Sequence, residues 1–202
     1  MNRSRPFRLA TLLPLFLAAI FLLLPAAHAQ EAAAAQAPGR ILLVLPFDNR
    51  ISATSGGAAG SSSEAVSLDW LREAAPDILN ARFTSAGLTP LTREDRLYAL
   101  GHLGLPENFD PSRATAIRIA QTLDAQSICI GSFTVANNTL TLRAHWIDVN
   151  KLNVTPEVTQ TGPLAQLIPL LNSLAWQLTR QLDPHFAVAQ ETFRAAGSSI
   201  RL

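Results

Sequence analysis

Ile41-Leu42-Leu43-Val44-Leu45-Pro46-Phe47-Asp48-Asn49 is the stretch whose reading decides the fold. Consecutive apolar residues closed by proline and a turn-forming Asp-Asn pair suit a strand buried on both faces.

Downstream, residues 54–64 are rich in Gly, Ser and Ala and offer nothing to bury, which predicts a mobile loop. Ser67 is placed to cap the next helix, with Asp69 favourable in its first turn. Leu68, Leu71, Ala75, Ile78, Leu79, Phe83 and Ala86 recur at helical spacing, and Gly87 stops them. A short strand is expected over 88–91. Thr92 and Asp95 have the spacing of a capping pair for a short helix ending near Gly101. Asp110-Pro111 reads as another helix start, a capping acid before a proline at the first helical position. Ala114, Ile117, Ala120 and Leu123 are expected to form that helix's buried face.

A strand over 127–136 follows, then the turn pair Asn137-Asn138, whose residue type tolerates positive φ. Its partner is expected over 139–149 with Leu140, Leu142, Ala144 and Trp146 on one face. Asn150-Lys151-Leu152-Asn153 makes the next turn. A weaker third strand over 154–161 carries Pro156, which marks an edge. Gly162-Pro163 is expected to open the last helix, where Leu164, Leu167, Ile168, Leu171, Leu174, Ala175, Leu178 and Leu182 form a broad apolar stripe. Pro169, one turn in, is placed to kink it. Asp183-Pro184 ends it, and residues 184–202 show no sustained period, as a tail or the start of a linker to a missing downstream module would. This element order predicts an α/β fold, a mixed β-sheet packed against helices, in a single domain over 41–183 that follows a signal peptide.

Upstream of the first strand, Arg3, Arg5 and Arg8 precede an apolar run from Leu9 to Leu24. Pro25 and Ala27-His28-Ala29 follow, the small-x-small pattern of a cleavage site. The run falls short of the ~20 residues that span a bilayer core. Residues 1–29 are therefore expected to be a cleaved signal peptide, and residues 30–40 a low-complexity linker. The single cysteine, Cys129, sits in the apolar segment Ser127-Ile128-Cys129-Ile130 and reads as a small buried hydrophobe. Gln30, where a lipoprotein would carry cysteine, argues for a periplasmic protein that is not lipid-anchored, with membrane contact only through residues 1–29 if uncleaved. One cysteine also excludes an intramolecular disulfide and a cysteine-based zinc cluster. Removing Arg3, Arg5 and Arg8 with the signal takes the formal net charge from +1 to −2. A nearly neutral chain with scattered charges offers no footprint for nucleic acid.

Val44-Leu45-Pro46-Phe47-Asp48-Asn49, Asp69-Trp70-Leu71 and the segment from Ala125 to Phe133 resemble the TolB amino-terminal-domain-like group, which includes FlgO-type envelope domains. The hairpin ending Trp146-Ile147-Asp148-Val149 and the turn to Gly162-Pro163-Leu164 fit the same pattern over roughly residues 41–183. The resemblance implies a non-catalytic α/β domain, often followed in longer proteins by tetratricopeptide repeats or a β-propeller. No self-similarity of the roughly 34-residue tetratricopeptide kind follows here, so the chain reads as the front part of such a protein without its repeats.

No catalytic, cofactor or metal constellation is apparent. His102, His145 and His185 lie in different elements, without a second ligand at metal spacing. The loop Thr54-Ser55-Gly56-Gly57-Ala58-Ala59-Gly60 lacks the P-loop lysine and the dinucleotide-binding glycine spacing. Ser61-Ser62-Ser63 has no nearby histidine to activate it. Glu94 and Asp95 are explained by capping. Asp48 and Asn49 follow the first strand, at the carboxyl edge where open α/β sheets tend to bind ligands, and read first as turn residues. Trp70 falls off its helix's main apolar stripe, as a core-margin or interface aromatic would, and Trp176 lies beside the Leu174/Leu178 stripe. Asp48, Asn49 and Trp70 are the candidate interaction residues. The expected function is an exported, non-catalytic binding or scaffold domain with envelope proteins as partners and no cofactor. Its rivals are an exported hydrolase with a site on loops 50–66 and 101–112, and the sensor or adaptor half of a tetratricopeptide-repeat protein.

Overall fold

The computed structural model describes residues 39–51, 68–107 and 109–197. The signal peptide expected over 1–29, most of the linker, Ser67 and the 54–64 loop lie outside the described residues. The strands are β1 (Ile41–Val44), β2 (Asp48–Asn49), β3 (Thr89–Pro90), β4 (Ser127–Ala136), β5 (Thr139–Asp148) and β6 (Val158–Pro163). The helices are α1 (Leu71–Ser85), α2 (Arg93–His102), α3 (Arg113–Thr122), α4 (Leu167–Leu182) and α5 (Gln190–Gly197). They build the expected α/β domain around one mixed sheet, in the order β3-β1-β4-β5-β6, with β2 beside the far part of β4. β1 runs parallel to β3 and β4, and β2 runs parallel to β4. β4, β5 and β6 form an antiparallel meander.

β1 confirms why its sequence does not alternate. Leu42 and Val44 enter a core shared with α1 and α4, while Leu43 and Leu45 enter a second core under α2 and α3. β4 and β5 divide the same way: Cys129, Phe133, Leu140, Leu142, Ala144 and Trp146 face the first core, Ile128 and Ile147 the second. Burial pushes the Cys129 thiol well above its ordinary range, in keeping with its reading as a small hydrophobe. Trp146 anchors the first core, its indole N–H donating to the Leu178 carbonyl at 3.0 Å and its ring 5.3 Å from that of Phe83.

The turns behave as their residue types dictate. Asn137 and Asn138 both take positive φ, 50° and 59°, closing the β4–β5 hairpin. Thr92 and Asp95 form a full capping box at α2. Asp148 accepts the amides of Asn150 and Lys151 at 3.0 and 2.8 Å, which holds the next turn.

The structure corrects several boundaries. α3 is capped by Ser112, whose hydroxyl accepts the Thr115 amide, so Asp110-Pro111 stands outside the helix. Its buried residues are consequently Ala116, Ile119 and Ala120, and Ala114 is exposed. Gly162 and Pro163 finish β6, and a 3₁₀ turn over Leu164–Gln166 leads into α4. Pro169 therefore falls in the first turn of α4, where the N–H it lacks would have no partner within the helix. Ile168, expected on the apolar stripe, is exposed.

Residues beyond Asp183-Pro184 fold back as well. Phe193 of α5 is buried and meets Phe186 edge-on at 5.8 Å. Its carbonyl accepts from Nη2 of Arg82, and the Arg82 guanidinium lies 4.0 Å from its ring centroid. Burial lowers the Arg82 pKa, and among the described residues no acid pairs with it. The tail lacked a legible period because α5 is short and contributes one buried anchor rather than a stripe.

Two local features fix the turn after β1. Pro76, inside α1, has no N–H for the carbonyl of Arg72, and that carbonyl instead accepts the Phe47 amide at 2.9 Å. The Phe47 side chain is fully buried against Gly131 of β4, where any Cβ would run into its ring. We predict that Phe47→Ala destabilises the protein by about 3–5 kcal/mol, the range for a buried aromatic. Trp70→Ala, at a site 55% exposed, should change stability by no more than about 0.5 kcal/mol. Urea unfolding of the two variants checks this, and equal effects would contradict it.

Candidate functional site

The helices α2 and α3 cover only part of the second sheet face. They pack over β1, Ile128 near the start of β4 and Ile147 near the end of β5. Beyond them no helix among the described residues covers the face. Register places Asp48, Ser132, Arg143 and Thr159 side by side across four strands. Thr134, Thr141 and Thr161 form the next row, with the hydroxyls of Thr141 and Thr161 3.2 Å apart. Side-chain alternation sends these residues to the face opposite Phe133 and Leu142.

Where this open face meets the start of α3, a cleft of about 240 Å³ forms. Asp48, Arg50, Asp110, Ser132, Arg143, His145 and Glu157 bring its polar groups together, and Pro111 and Ile130 contribute apolar walls. Arg50 is paired with Asp48 at 2.7 Å and Arg143 with Glu157 at 3.6 Å. Two polar groups stand out for want of partners. Ser132 is only 6% exposed and lines the cleft, yet among the described residues its hydroxyl makes no hydrogen bond. The Asp110 carboxylate likewise has no ion pair or hydrogen bond among the described residues, because capping of α3 fell to Ser112. A larger hollow of about 310 Å³ lies between α4 and α5, but its lining is mainly apolar, with charge only from Glu191 and Arg194 of one helix.

The expected interaction residues separate. Asp48 lines the cleft. Asn49 serves the turn, its Oδ1 accepting the Ile51 amide at 3.2 Å. Trp70 occupies the residue before α1, exposed and outside the cleft. Trp176, by contrast, donates its indole N–H to the Val188 carbonyl at 2.8 Å and clasps the segment leading to α5. Sequence reasoning missed Ser132, Arg143, His145 and Glu157 as a group, since only strand register brings them together. The alternation of polar residues along 139–145 was the available signal.

The loops suspected of carrying a hydrolytic site do meet here, through Arg50 and Asp110. However, no hydrogen bond joins Ser132 to His145, and none joins an acid to His145, among the described residues. A nucleophile–base–orienter arrangement is thus not assembled. His102, His145 and His185 remain apart, on α2, on β5 and after α4. Among the described residues no group of three or more His, Cys, Asp or Glu could hold a metal ion, and no helix is long and apolar enough to cross a membrane.

No family model and no curated protein matches the chain. Solved structures to which it is similar include the LpoB C-terminal domain from Salmonella enterica, at 18% identity and a TM-score of 0.44, covering 67% of this chain and 91% of that one. TolB from Acinetobacter baumannii is similar over 73% of this chain and 29% of its own, at 10% identity and a TM-score of 0.47. The PelC dodecamer from Paraburkholderia phytofirmans is similar at 13% identity and a TM-score of 0.35, over 75% and 89% of the two chains. Likeness at these identities and scores assigns no activity to this chain.

His145 gives the site a pH signature. Burial lowers its pKa below the ordinary 6.5, Glu157 opposes the shift and Arg113 adds to it. As pH falls, the unfolded chain takes up this proton before the folded one does. The contribution of His145 to stability is therefore full above about 6.5 and is lost as pH drops towards the lowered folded value. We predict that His145→Gln flattens the decline in urea midpoint between about pH 7.5 and about pH 5. Parallel declines in the parent and the variant would contradict the burial of a neutral imidazole.

Proposed function

We propose that this chain is a non-catalytic binding module that works outside the cytoplasm and engages a partner polypeptide of the cell envelope. The observation that carries the reading is the face of β4, β5 and β6 that no described residue covers, where polar side chains from three strands, the β5–β6 connection and the α3 approach converge on one cleft. A sheet face shielded by helices at one end and left polar at the other resembles the wet, hydrogen-bonding surfaces of non-obligate interfaces. Export rests on residues 1–29, and Asp48 is the residue of the original three assigned to the surface. Asn49 acts through the turn that presents it, and Trp70 remains available as a separate contact.

The test is photo-cross-linking in exporting cells, with a benzophenone side chain at Thr161 on the open face or at Gln121, exposed on α3. We expect a discrete protein adduct from Thr161 and none from Gln121, weakened by Asp48→Ala. An adduct from Gln121 alone, or from neither position, would overturn the assignment of this surface.

A further inference from the structure

We propose that the cleft accepts a single cationic side chain, lysine or arginine, of the partner polypeptide. The inference rests on the surface assignment above and names what that surface recognises. The lining carries Asp48, Asp110 and Glu157 against Arg50 and Arg143, so its charged side chains sum to a net negative site. Both arginines are already engaged by acids of the lining, Arg50 by Asp48 and Arg143 by Glu157. What is left over is anionic: among the described residues Asp110 has no partner, and Asp48 accepts from Arg50 at Oδ2 while its Oδ1 accepts no hydrogen bond.

The buried hydroxyl supplies the independent observation. Ser132 lies between Asp48 and Arg143 in register, is 6% exposed, and lines the cleft without a hydrogen-bond partner among the described residues. A nearly buried hydroxyl that meets no protein group and opens only onto the cleft leaves its hydrogen bonds for whatever occupies that cleft. An ammonium or guanidinium donates to Ser132 Oγ and to Asp48 Oδ1 while its charge faces Asp110. An anionic ligand would meet three carboxylates against two guanidinium groups that are each already paired with one of them, and an apolar one would leave Ser132 unsatisfied. Pro111 and Ile130 provide the apolar walls along which the methylene stem of lysine or arginine lies. A cleft of about 240 Å³ holds one such side chain, not a folded element.

The experiment titrates the isotope-labelled protein with Nα-acetyl-arginine methylamide and Nα-acetyl-lysine methylamide, following the backbone amides of Asp110, Ser132 and His145 by NMR. Nα-acetyl-norleucine methylamide and Nα-acetyl-glutamate methylamide serve as the apolar and anionic controls. We expect saturable shifts with the cationic compounds only. Asp110→Asn, at an exposed position outside any helix, should weaken them about threefold to fivefold, and Ser132→Val should weaken them further. No response to either cation, or equal responses to norleucine or glutamate, would overturn the proposal. A cross-linked partner at Thr161 combined with silence towards both cations would overturn this inference while leaving the surface assignment standing.

Discussion

The contact between the Phe47 ring and the bare backbone of Gly131 is the constraint from which the rest of the structure follows. β1 stops pairing with β4 after Leu45 and β2 resumes the pairing in the same direction, so the chain must step out of the ladder at Pro46-Phe47. Phe47 then buries its ring in the first core, a contribution of about 1.5–3 kcal/mol by area alone. Its amide is taken up by the carbonyl that Pro76 leaves free in α1. With ring and backbone both held, Asp48 and Asn49 have one place to go, beside Ser132 and Phe133 of β4. Leucine, valine or even alanine at position 131 would push the ring away and release this arrangement.

That placement produces the site. β1 pairs with the start of β4, and β2 resumes the pairing farther along the same strand, which carries an acid onto the face that α2 and α3 do not reach. The hairpin adds Arg143 and His145 at fixed register, and the β5–β6 connection adds Glu157. Strand pairing thus fixes Asp48, Arg143 and His145, while the connections after β2, before α3 and between β5 and β6 add Arg50, Asp110 and Glu157. Desolvation by neighbouring side chains lowers the pKa of His145, and the same crowding leaves Ser132 only 6% exposed at the cleft, with no protein partner for its hydroxyl among the described residues. Both effects support the proposal that this surface binds a ligand's polar groups.

Much of the fold was legible because its signals are local. The unbroken apolar run of β1, the Asn137-Asn138 turn, the Thr92–Asp95 box and the stripes of α1 and α4 each depend on residues close in sequence. Where competing local signals existed, the reading slipped. Asp110-Pro111 and Ser112 can each begin a helix, and Ser112 won because its hydroxyl reaches the Thr115 amide at 3.3 Å. α5 was hidden because a short helix with a single anchor, Phe193, has no period to detect. Of the site, only Asp48 was legible, from its position at the end of the first strand. Ser132, Arg143 and Glu157 became neighbours through the pairing of β4, β5 and β6, and Asp48 joined them through the pairing of β2 with β4, which spacing alone does not reveal.

Amide hydrogen exchange in Gly131→Ala tests that dependence most directly. The Arg50 amide donates to the Phe133 carbonyl at 2.9 Å and reports on β2, and the Leu45 amide donates to the Cys129 carbonyl at 3.1 Å and reports on β1. If the ring's seat on Gly131 holds β2 in place, protection at Arg50 falls roughly tenfold relative to Leu45 in the variant. Protection at Arg50 that stays in step with Leu45 would contradict the account.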